Sequence, residues 1–455
     1  MIMAQFFKVN PKKSNKNKQT QKQVVKDVVI SSLDHHGRGV ALLSNKPLFV
    51  KGVLLDEVVN VAISESKKRF SKGDVTAITQ KSADRIEPQC PHYQECGGCH
   101  LQHCNAETQR ITKSVGLTSL FKRFAKQYIN ELEPSLFAAP WKYRRTARFG
   151  VQFNRKSKKV EMGFRRSGTN ALVDQQHCPV LLPELEILIP SVKTLLNKLA
   201  SKQQLGHVEL ISSDQGATVL LRHLKTLSKE DRALIKAFSD KHQVNFFSQK
   251  SKYEIASLAG DSQLSYQLDF PDMALKTTFN FEVTDFLQVN AAINQKMVLQ
   301  AMQWLDLKED DIVLDLFCGL GNFTLPIANQ VQKIIGIEGI QSMVDRAANN
   351  AQLNHIDNAF FYQADLSDDN SQSEWQKERF NKVLLDPARQ GAFECMRFIT
   401  KLKPSHIVYV ACDPVTLARD SLALLEKGYR VEKLGLIDMF PQTEHMESMA
   451  LFIKK

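Results

Sequence analysis

The stretch DLFCGLGNF, from Asp315 to Phe323, connects an apolar run to a glycine-rich turn. The longer run DIVLDLF that it completes predicts a buried strand. Gly319 and Gly321 allow a tight turn and let a ligand approach the backbone closely. The spacing is not GxGxxG, because Thr324 follows, and no GKS or GKT phosphate loop is present. We therefore predict a strand, a ligand-binding turn and a helix, with a pyrophosphate-bearing dinucleotide disfavoured as the ligand.

Strands and helices alternate on both sides of this turn, from about residue 281 to the C-terminus. Apolar residues recur at helical spacing in 291–305, ahead of the first strand. The segments that follow are predicted strands and helices in turn: QKIIGIEG, MVDRAANNAQLN, AFFYQAD, KVLLDPA, FECMRFITKL, IVYVAC and VTLARDSLALLEKG. This order predicts an α/β fold class with a doubly wound, mostly parallel sheet, whose ligands bind at the carboxyl ends of the strands.

Two acidic residues end the second and third predicted strands. Glu338 stands about 20 residues beyond the glycine turn, where a carboxylate can accept hydrogen bonds from two ribose hydroxyls. Asp365 ends the third strand, where it can meet an adenine amino group. This order of turn, acid and acid resembles the Rossmann-like S-adenosylmethionine methyltransferase fold. The plain alternative is a packing turn with two surface acids.

The fourth strand ends in LLDPARQG, which bears on the atom that accepts the methyl group. Enzymes of this fold that methylate amino groups usually carry Asp/Asn-Pro-Pro-aromatic here, but Ala388 and Arg389 follow Asp386 and Pro387. A carbon acceptor such as C5 of uracil is a poor nucleophile. A thiolate that adds to C6 makes C5 reactive, and a base then removes the C5 proton.

A cysteine and a glutamate fit these two tasks. Cys412 ends the strand HIVYVAC, and Glu447 lies in FPQTEHMESMALF, two residues after His445. A lone cysteine at a strand end is as often a small buried hydrophobe, which is the interpretation we give to Cys318 and Cys395. Glu447 alone could equally be a surface acid.

Taken together, DLFCGLGNF, LLDPAR, VACDP and HMES resemble the RNA 5-methyluridine methyltransferase family in order and spacing. FLQVN, from Phe286 to Asn290, matches the F-x-Q-x-N motif of that family. The resemblance implies Cys412 as the nucleophile and Glu447 as the proton acceptor. It also implies a pocket for S-adenosylmethionine and the target base lined by Gln288, Phe317, Asn322, Glu338, Asp365 and Asp386. One small departure is Ala411, where the family commonly has serine.

Composition sets the broad class of the protein. At 455 residues the chain has room for about three domains, and its net charge of +11 favours an acidic partner such as nucleic acid. No apolar run reaches the ~18 residues of a membrane helix, and the N-terminus does not resemble a signal peptide. We therefore expect a cytoplasmic protein without a membrane partner, in which the eight cysteines are thiols, metal ligands or catalysts.

The N-terminal half is predicted to hold three segments. Residues 1–26 contain seven lysines and no acid, and residues 1–22 are predicted to form a disordered basic arm. Residues 23–82 alternate short β-rich runs with turns and resemble the TRAM domain, an OB-like β-barrel that binds RNA. Residues 83–280 are predicted to form a mixed α+β central domain, and residues 281–455 form the methyltransferase domain.

The segment QCPHYQECGGCH holds Cys90, Cys96 and Cys99, and a distant Cys178 precedes a proline. From spacing alone, a single C-x2-C pair favours an iron–sulfur cluster, while zinc with mixed cysteine and histidine ligands stays open. The family resemblance implies a 4Fe-4S cluster on these four cysteines, and Cys104 has no place in that pattern. We expect the cluster to be structural, because methyl transfer needs no electron.

The segment Trp141–Arg166 has ten basic residues and one acid, with five aromatic residues between them. Cations meet phosphates and rings stack on unpaired bases, so we predict RNA contact, although the same pattern fits a hairpin whose aromatic residues form core. Barrel, cluster and basic arm together most resemble the bacterial enzymes of this family that act on 23S rRNA, and we expect a monomer.

Three other functions remain open from the sequence. The first is a tRNA 5-methyluridine methyltransferase. The second is a non-catalytic RNA-binding or redox-sensing module. The third, a cytosine-C5 methyltransferase, is disfavoured because LLDPAR stands where a Pro-Cys motif would be.

Overall fold

A computed structural model describes residues 23–366 and 373–454. The basic arm predicted at residues 1–22 lies outside these ranges. The described chain divides into two compact units, one of residues 23–33 and 38–82 and the other of residues 34–37 and 83–454. None of the helices in the described ranges is both long enough and apolar enough to cross a membrane.

The first unit is a six-stranded sheet with the strand order β1-β5-β6-β4-β3-β2. Its strands are β1 Val24–Val29, β2 Ser32–Leu33, β3 Gly39–Leu43, β4 Lys46–Lys51, β5 Val58–Ser66 and β6 Ser71–Gln80. Alternate residues of the strands face a small core of fully buried aliphatic side chains, which includes Leu48, Val50, Val59 and Val61. The β-rich segments predicted here are all strands.

The second unit begins with the helix α1 Ala106–Leu120, which continues into a π-helical turn Phe121–Ala125. The strands that follow are β7 Glu133–Leu136, β8 Thr146–Asn154, β9 Lys159–Gly163, β10 Leu205–Ser213, β11 Gly216–His223, β12 Asn245–Gln249, β13 Ile255–Ala259, β14 Leu264–Phe270 and β15 Leu275–Phe281. Between them lie α2 Pro183–Glu186, α3 Leu188–Lys198 and α4 Lys229–His242. Strands β8 to β13 form one sheet in the order β13-β12-β11-β10-β8-β9, and β14 pairs with β15.

The C-terminal part alternates strands and helices as the sequence predicts. Its strands are β16 Ile312–Leu316, β17 Lys333–Glu338, β18 Ala359–Gln363, β19 Lys382–Leu385, β20 His406–Ala411, β21 Tyr429–Ile437 and β22 Glu447–Lys454. Its helices are α5 Ala291–Leu305, α6 Thr324–Ala328, α7 Gln341–Leu353, α8 Phe393–Leu402 and α9 Pro414–Leu425. Strands β16 to β20 are mutually parallel, and β22 runs antiparallel to β20 and β21.

This sheet has the strand order β18-β17-β16-β19-β20-β22-β21-β7. The chain builds outward from β16 to β18, then returns to the other side of β16 through β19 and β20. The order therefore reverses between β16 and β19. In open α/β sheets the ligand crevice lies at such a reversal, at the carboxyl ends of the strands.

The segment from α1 to β7 joins the C-terminal sheet, although it precedes the central sheet in the chain. Strand β7 pairs in parallel with β21 at the sheet edge. Leu117, Leu120 and Phe121 belong to the same buried cluster as β20 and α9. A buried ion pair adds to this packing, since Lys113 Nζ lies 2.7 Å from Asp438 Oδ1. The methyltransferase fold thus uses chain from both sides of the central domain.

The basic segment Trp141–Arg166 forms the hairpin of β8 and β9. Phe149 and Tyr143 are buried in the core of the central domain, and Trp141, Phe153 and Phe164 are partly buried against it. Most of the predicted aromatic contact surface is therefore core, because alternate residues of a strand face the helices that cover the sheet. Most of the arginines and lysines are exposed, but Arg145 is buried.

A buried carboxylate connects α9 to the loop between β19 and α8. Asp420 is fully buried and accepts hydrogen bonds from the Tyr409 hydroxyl and from the backbone N–H of Ala392, both at 2.8 Å. Arg419 Nε donates to its other oxygen at 2.7 Å. Gly391 has φ +79°, and a Cβ there would lie 2.6 Å from Asp420 Oδ2, so the loop must have glycine at this point.

We predict that Asp420→Ala lowers the free energy of unfolding by about 3 kcal/mol, because it leaves a buried N–H and a buried hydroxyl without an acceptor. Urea titration followed by circular dichroism measures this. Asp240→Ala, at an exposed position on α4, should change stability by less than about 0.5 kcal/mol. Equal effects of the two substitutions would show that the Asp420 network does not stabilise the fold.

Candidate active site

The strand ends of the C-terminal sheet bring several of the predicted residues to one edge. Leu316 pairs with Ile337 on one side and with Leu385 on the other, so Phe317, Glu338 and Asp386 follow adjacent strands at the same level. The backbone N–H of Asp386 also donates to the carbonyl of Leu316 at 3.3 Å. These predicted pocket residues therefore surround the reversal of strand order.

Cys412 and Glu447 face each other across the pairing of β20 and β22. Ala411 pairs with Ser448 in this antiparallel ladder, so the residue after Ala411 lies opposite the residue before Ser448. Cys412 is half-buried and Glu447 is buried, with 6% of its surface exposed. The predicted thiol and the predicted base are therefore neighbours, with the carboxyl group held in the protein interior.

Burial governs the protonation of this pair. It raises the pKa of the Cys412 thiol to about 11, and the negative charges of Glu447 and Asp386 add to that effect. It also raises the pKa of Glu447 to about 8, with a further contribution from Asp386, whose own pKa is raised to about 7. Arg389 opposes these effects, since its positive charge favours both the thiolate and the Glu447 carboxylate.

The glycine turn after β16 is strained and tied to Glu338. Phe317 has φ +66°, a left-handed conformation that is uncommon for a bulky residue. Gly319 and Gly321 also have positive φ, at +55° and +88°. The Glu338 carboxylate accepts hydrogen bonds from the N–H of Gly319 at 3.2 Å and of Ile340 at 3.1 Å. Glu338 therefore braces the turn as well as standing at the end of its own strand.

A second carboxyl group lies beneath the turn. Asp315 is buried, and its Oδ2 accepts a hydrogen bond from Thr324 Oγ1 at 2.5 Å. Its Oδ1 has no hydrogen-bond partner among the residues that the structure describes. Burial raises the pKa of Asp315 to about 7, and the charges of Asp386 and Glu338 contribute.

Amide groups line the side of the turn that faces α5. Asn322 and Asn294 exchange two hydrogen bonds of 2.9 Å, and the Tyr266 hydroxyl donates to Asn322 Oδ1 at 3.1 Å. The backbone carbonyl of Gln288 accepts a hydrogen bond from Arg145 Nε at 2.9 Å. The FLQVN segment and the glycine turn are thus held by neighbouring polar contacts, and Arg145, immediately before β8, supplies one of them.

The other predicted residues are less enclosed. Asp365 follows β18 and is exposed, and His445 is exposed with its ring against Phe440. Cys318 and Cys395 are buried, in agreement with their interpretation as small hydrophobic residues of the core.

The four cysteines of the predicted cluster lie in one region of the central domain. Burial raises the pKa of the Cys178 thiol, and the charges of Cys99, Cys90 and Cys96 raise it further, so all four groups interact. Cys96 Sγ accepts hydrogen bonds from the N–H of Gly98 at 3.4 Å and from Gln175 Nε2 at 3.7 Å. Within 23–366 and 373–454, no group of three His, Cys, Asp or Glu side chains could hold a single metal ion.

Sequence reasoning did not single out four residues of this site: Asp315, Arg389, Asn294 and Arg145. Arg389 could have been predicted as a site residue, because it stands three residues beyond the strand-end Asp386. Asn294 and Arg145 could not have been, since they lie on an amphipathic helix and in a basic hairpin. Their positions depend on how α5 and β8 pack against the turn.

The raised pKa values of Asp315, Asp386 and Glu447 make stability depend on pH. Each pKa is higher in the folded chain than in the unfolded chain, so each group contributes stability below about pH 4 that is lost as pH rises through 7 to 8. Between pH 5 and pH 9 the free energy of unfolding, measured by urea titration, should fall in both proteins. We predict that the fall is smaller in Glu447→Gln than in wild type by at least about 1 kcal/mol. The exposed control Glu309→Gln should behave as wild type; equal losses in all three proteins would contradict the assignment.

Comparison with known proteins identifies two families along the chain. Residues 106–455 match the tRNA (Uracil-5-)-methyltransferase family, and residues 19–76 match the TRAM domain. The first match begins at α1, which is the helix that packs on the C-terminal sheet. The second covers most of the six-stranded unit, whose resemblance to a TRAM domain the sequence analysis noted.

Two relatives and one solved structure extend over nearly the whole chain. The 23S rRNA (uracil(1939)-C(5))-methyltransferase RlmD of Psychromonas ingrahamii is 59% identical over 451 residues, which are 99% of this chain and 100% of the relative. The protein of the same name from Aeromonas hydrophila is 45% identical and covers 100% of both chains.

The solved structure is the Pyrococcus abyssi tRNA (uracil-54, C5)-methyltransferase in complex with S-adenosyl-L-homocysteine. It matches with a TM-score of 0.71 and 21% identity, over 94% of this chain and 100% of that one. At this identity the likeness establishes the fold alone. The two family matches and the full-length relatives establish the family: the chain belongs to the RNA 5-methyluridine methyltransferases and carries a TRAM domain.

Proposed function

We propose that this protein transfers a methyl group from S-adenosylmethionine to C5 of a specific uridine in 23S rRNA. The observation that carries the proposal is the position of Cys412 opposite Glu447, next to the Ala411–Ser448 pair of β20 and β22. Relatives at 59% and 45% identity are named for this reaction and match over their full length. A thiol and a carboxyl group side by side are the two groups that methylation of a pyrimidine carbon requires.

In the proposed reaction Cys412 gives its proton to solvent and its thiolate sulfur adds to C6 of the uracil ring. The electron pair of the C5–C6 double bond moves into an enolate, which gives C5 carbanion character. C5 then takes the methyl group as the bond from that group to the sulfonium sulfur breaks and leaves a neutral thioether, and Glu447 removes the C5 proton. The electron pair of the C5–H bond restores the double bond as the Cys412 thiolate leaves.

The protonation of Cys412 before RNA binds opposes the first step of this reaction. With the thiol pKa raised to about 11, Cys412 is protonated at neutral pH, so its attack requires a proton acceptor and a favourable charge. Arg389 is the cation that acts on both Cys412 and Glu447, and we propose that it stabilises the thiolate. The raised pKa of Glu447, about 8, makes this carboxylate a strong enough base for the C5 proton.

The residues around the glycine turn fit an adenosyl cofactor. Glycine at 319 leaves open space where a side chain would stand, because the nearest atom to a Cβ would be Met343 Cε at 3.9 Å. We propose that Gln288, Phe317, Asn322, Glu338 and Asp365 hold the cofactor, and that Asp386 borders both the cofactor and the base. When bound, S-adenosylmethionine supplies a methyl group on a sulfonium, which a carbanion can displace.

The target uridine must leave any base stack to reach Cys412, since the thiol is half-buried at the sheet edge. We propose that the TRAM domain and the basic hairpin of β8 and β9 bind the surrounding RNA. The net charge of +11 supports a polyanionic substrate. A tRNA substrate is the second candidate, because the matching P. abyssi structure is of a tRNA methyltransferase.

We further propose that Cys90, Cys96, Cys99 and Cys178 hold a 4Fe-4S cluster. The four thiols are within electrostatic reach of one another, and Cys96 Sγ accepts two N–H hydrogen bonds of the kind that stabilise a thiolate. The cluster would cross-link two distant segments of the central domain, which is a structural role.

We predict that Cys412→Ser abolishes methyl transfer and the covalent adduct with RNA containing 5-fluorouridine. Fluorine cannot leave C5 as a proton does, so an active enzyme is trapped on this RNA as a complex that survives denaturing electrophoresis. Cys104→Ser, which replaces a buried thiol outside the proposed site, should retain both activities. Turnover by the serine variant at the wild-type rate would overturn the mechanism.

The same assay separates the two candidate substrates. Methyl incorporation from labelled S-adenosylmethionine is measured with a 23S rRNA fragment and with unmodified tRNA. We expect incorporation into the 23S rRNA fragment alone, and mass spectrometry then locates the methylated uridine. Incorporation only into tRNA would replace the 23S rRNA assignment while leaving the chemistry intact.

We predict that Cys96→Ser loses the brown absorbance of the cluster and most of the bound iron, because one of four ligands is removed. Cys104→Ser, at a buried cysteine outside the set, is the control and should retain the iron of the wild type. Iron and sulfide analysis of the purified proteins measures both. Full cluster content in the Cys96 variant would refute this ligand assignment.

A further inference from the structure

A cavity of about 600 Å³ opens on the central sheet, and none of its lining residues belongs to the group around Cys412. Arg148, Gly150, Phe164, Arg165, Gly206 and His207 carry its chemistry. We name it the outer-face pocket. Its volume lies within the range of roughly 300–1,000 Å³ that is typical of small-molecule sites.

The outer-face pocket lies on the side of the sheet that the helices leave uncovered. Ala147, Phe149 and Val151 of β8 are buried in the cluster that contains the apolar residues of α3 and α4. Arg148 and Gly150 alternate with them and therefore face the opposite side. Gly150 pairs with Gly163 on β9 and with His207 on β10, so the pocket spans three neighbouring strands.

The floor of the pocket lacks side chains. At Gly163 an added Cβ would lie 1.7 Å from the carbonyl oxygen of Val173, so glycine lets the 164–175 loop fold onto the sheet. At Gly206 the nearest atoms to a Cβ belong to Arg222, at 3.6 Å, so no packing requirement explains that glycine. The result is a depression between a loop and a sheet, with backbone as its base.

Two guanidinium groups stand at the pocket, and each is held by a neutral acceptor. Arg148 Nη2 bonds to His207 Nε2, and Arg165 Nη1 donates to Asn170 Oδ1. Burial lowers the pKa of His207, and the charges of Arg148 and Arg222 lower it further, so the neutral imidazole can accept the bond. A guanidinium that is oriented in advance matches a phosphate with two parallel hydrogen bonds.

Within the described part of the chain, Glu209 is the acidic side chain bonded to this pair, with its Oε1 at 3.3 Å from Arg148 Nε. The Arg148 side chain remains 57% exposed, so this contact does not bury the guanidinium. Arg165 and the neighbouring Arg222 leave the pocket with an excess of positive charge.

The backbone beside the pocket is tied to the cysteine-rich loop. Phe164 is half-buried, and its ring stacks on the buried ring of Phe149 with centroids 4.7 Å apart, on the helix-covered side of the sheet. Its backbone N–H donates to Gln175 Oε1 at 3.1 Å, while Gln175 Nε2 donates to Cys96 Sγ. The N–H of Gly97 also donates to the carbonyl of Arg165 at 2.9 Å. The cysteine-rich loop therefore positions the backbone from which Arg165 extends.

We propose that the outer-face pocket binds one unpaired nucleotide of the RNA substrate, at a position separate from the methylated uridine. Its phosphate bonds to Arg148 and Arg165, and its base enters the depression above Gly150, Gly163 and Gly206. This rests on the proposed function, since it names a second contact of the same RNA. Paired guanidinium groups beside a depression with room for one base match a phosphate and the nucleotide that carries it.

The test compares the full-length protein with Arg148→Gln/Arg165→Gln in binding a 23S rRNA fragment that contains the methylated uridine. We expect the Kd of the double variant to rise by about tenfold at ~0.1 M salt, and the slope of log Kd against log salt to fall by about one. The kcat at saturating RNA should stay within about twofold of wild type, because neither arginine touches the group around Cys412.

A control variant sharpens the result. Lys236→Gln removes one positive charge from exposed α4, on the helix-covered side of the sheet, and should leave Kd unchanged. Thermal unfolding of each variant confirms that it is folded.

The outcomes separate this proposal from the proposed function. If wild type methylates the fragment and the double variant binds it with wild-type Kd and salt slope, the nucleotide assignment is overturned and an acidic protein segment becomes the candidate ligand. If wild type neither binds nor methylates any RNA, the proposed function fails as well. An equal rise in Kd for Lys236→Gln would show general charge attraction and would also overturn the site.

Discussion

The antiparallel pairing of β20 with β22 is the interaction on which the site depends. It places the residue that follows β20 opposite the first residue of β22, which makes Cys412 and Glu447 neighbours. Both groups are shielded from solvent at this end of the sheet, and this burial raises the pKa of each. A carboxyl group near the surface would be a weaker base, and it would not influence the thiol to the same degree.

The surrounding protein serves to hold this pair and the loops beside it. Asp420 ties the 386–392 loop to α9, and α9 begins immediately after Cys412. Arg389 lies in that loop, so its distance from the thiol depends on a buried network behind it. On the other side, Glu338 braces the glycine turn and Asn294 braces Asn322. Hydrogen bonds within the fold thus determine where the reactive groups stand.

Much of this was predictable from the sequence, for identifiable reasons. The strands from β16 to β20 are continuous apolar runs and their helices are amphipathic, so both periodicities are strong. The glycine turn and the strand-end acids follow from where those runs stop. Residues 106–136 were not placed in the methyltransferase fold, because β7 is only four residues long and contains a proline. The rings of the basic hairpin were predicted to meet RNA, yet most of them pack in the core.

The sequence by itself determined the alternation of strands and helices, the chemical identity of the thiol and the acid, and the excess of positive charge. These are properties of single residues and of local spacing, which the chain carries wherever it folds. Only the tertiary structure decided that Glu447 is buried against Cys412, that Arg389 and Asp386 act on both, and that Arg145, immediately before β8, reaches the Gln288 segment. Those facts depend on long-range strand pairing and desolvation, which local spacing does not encode.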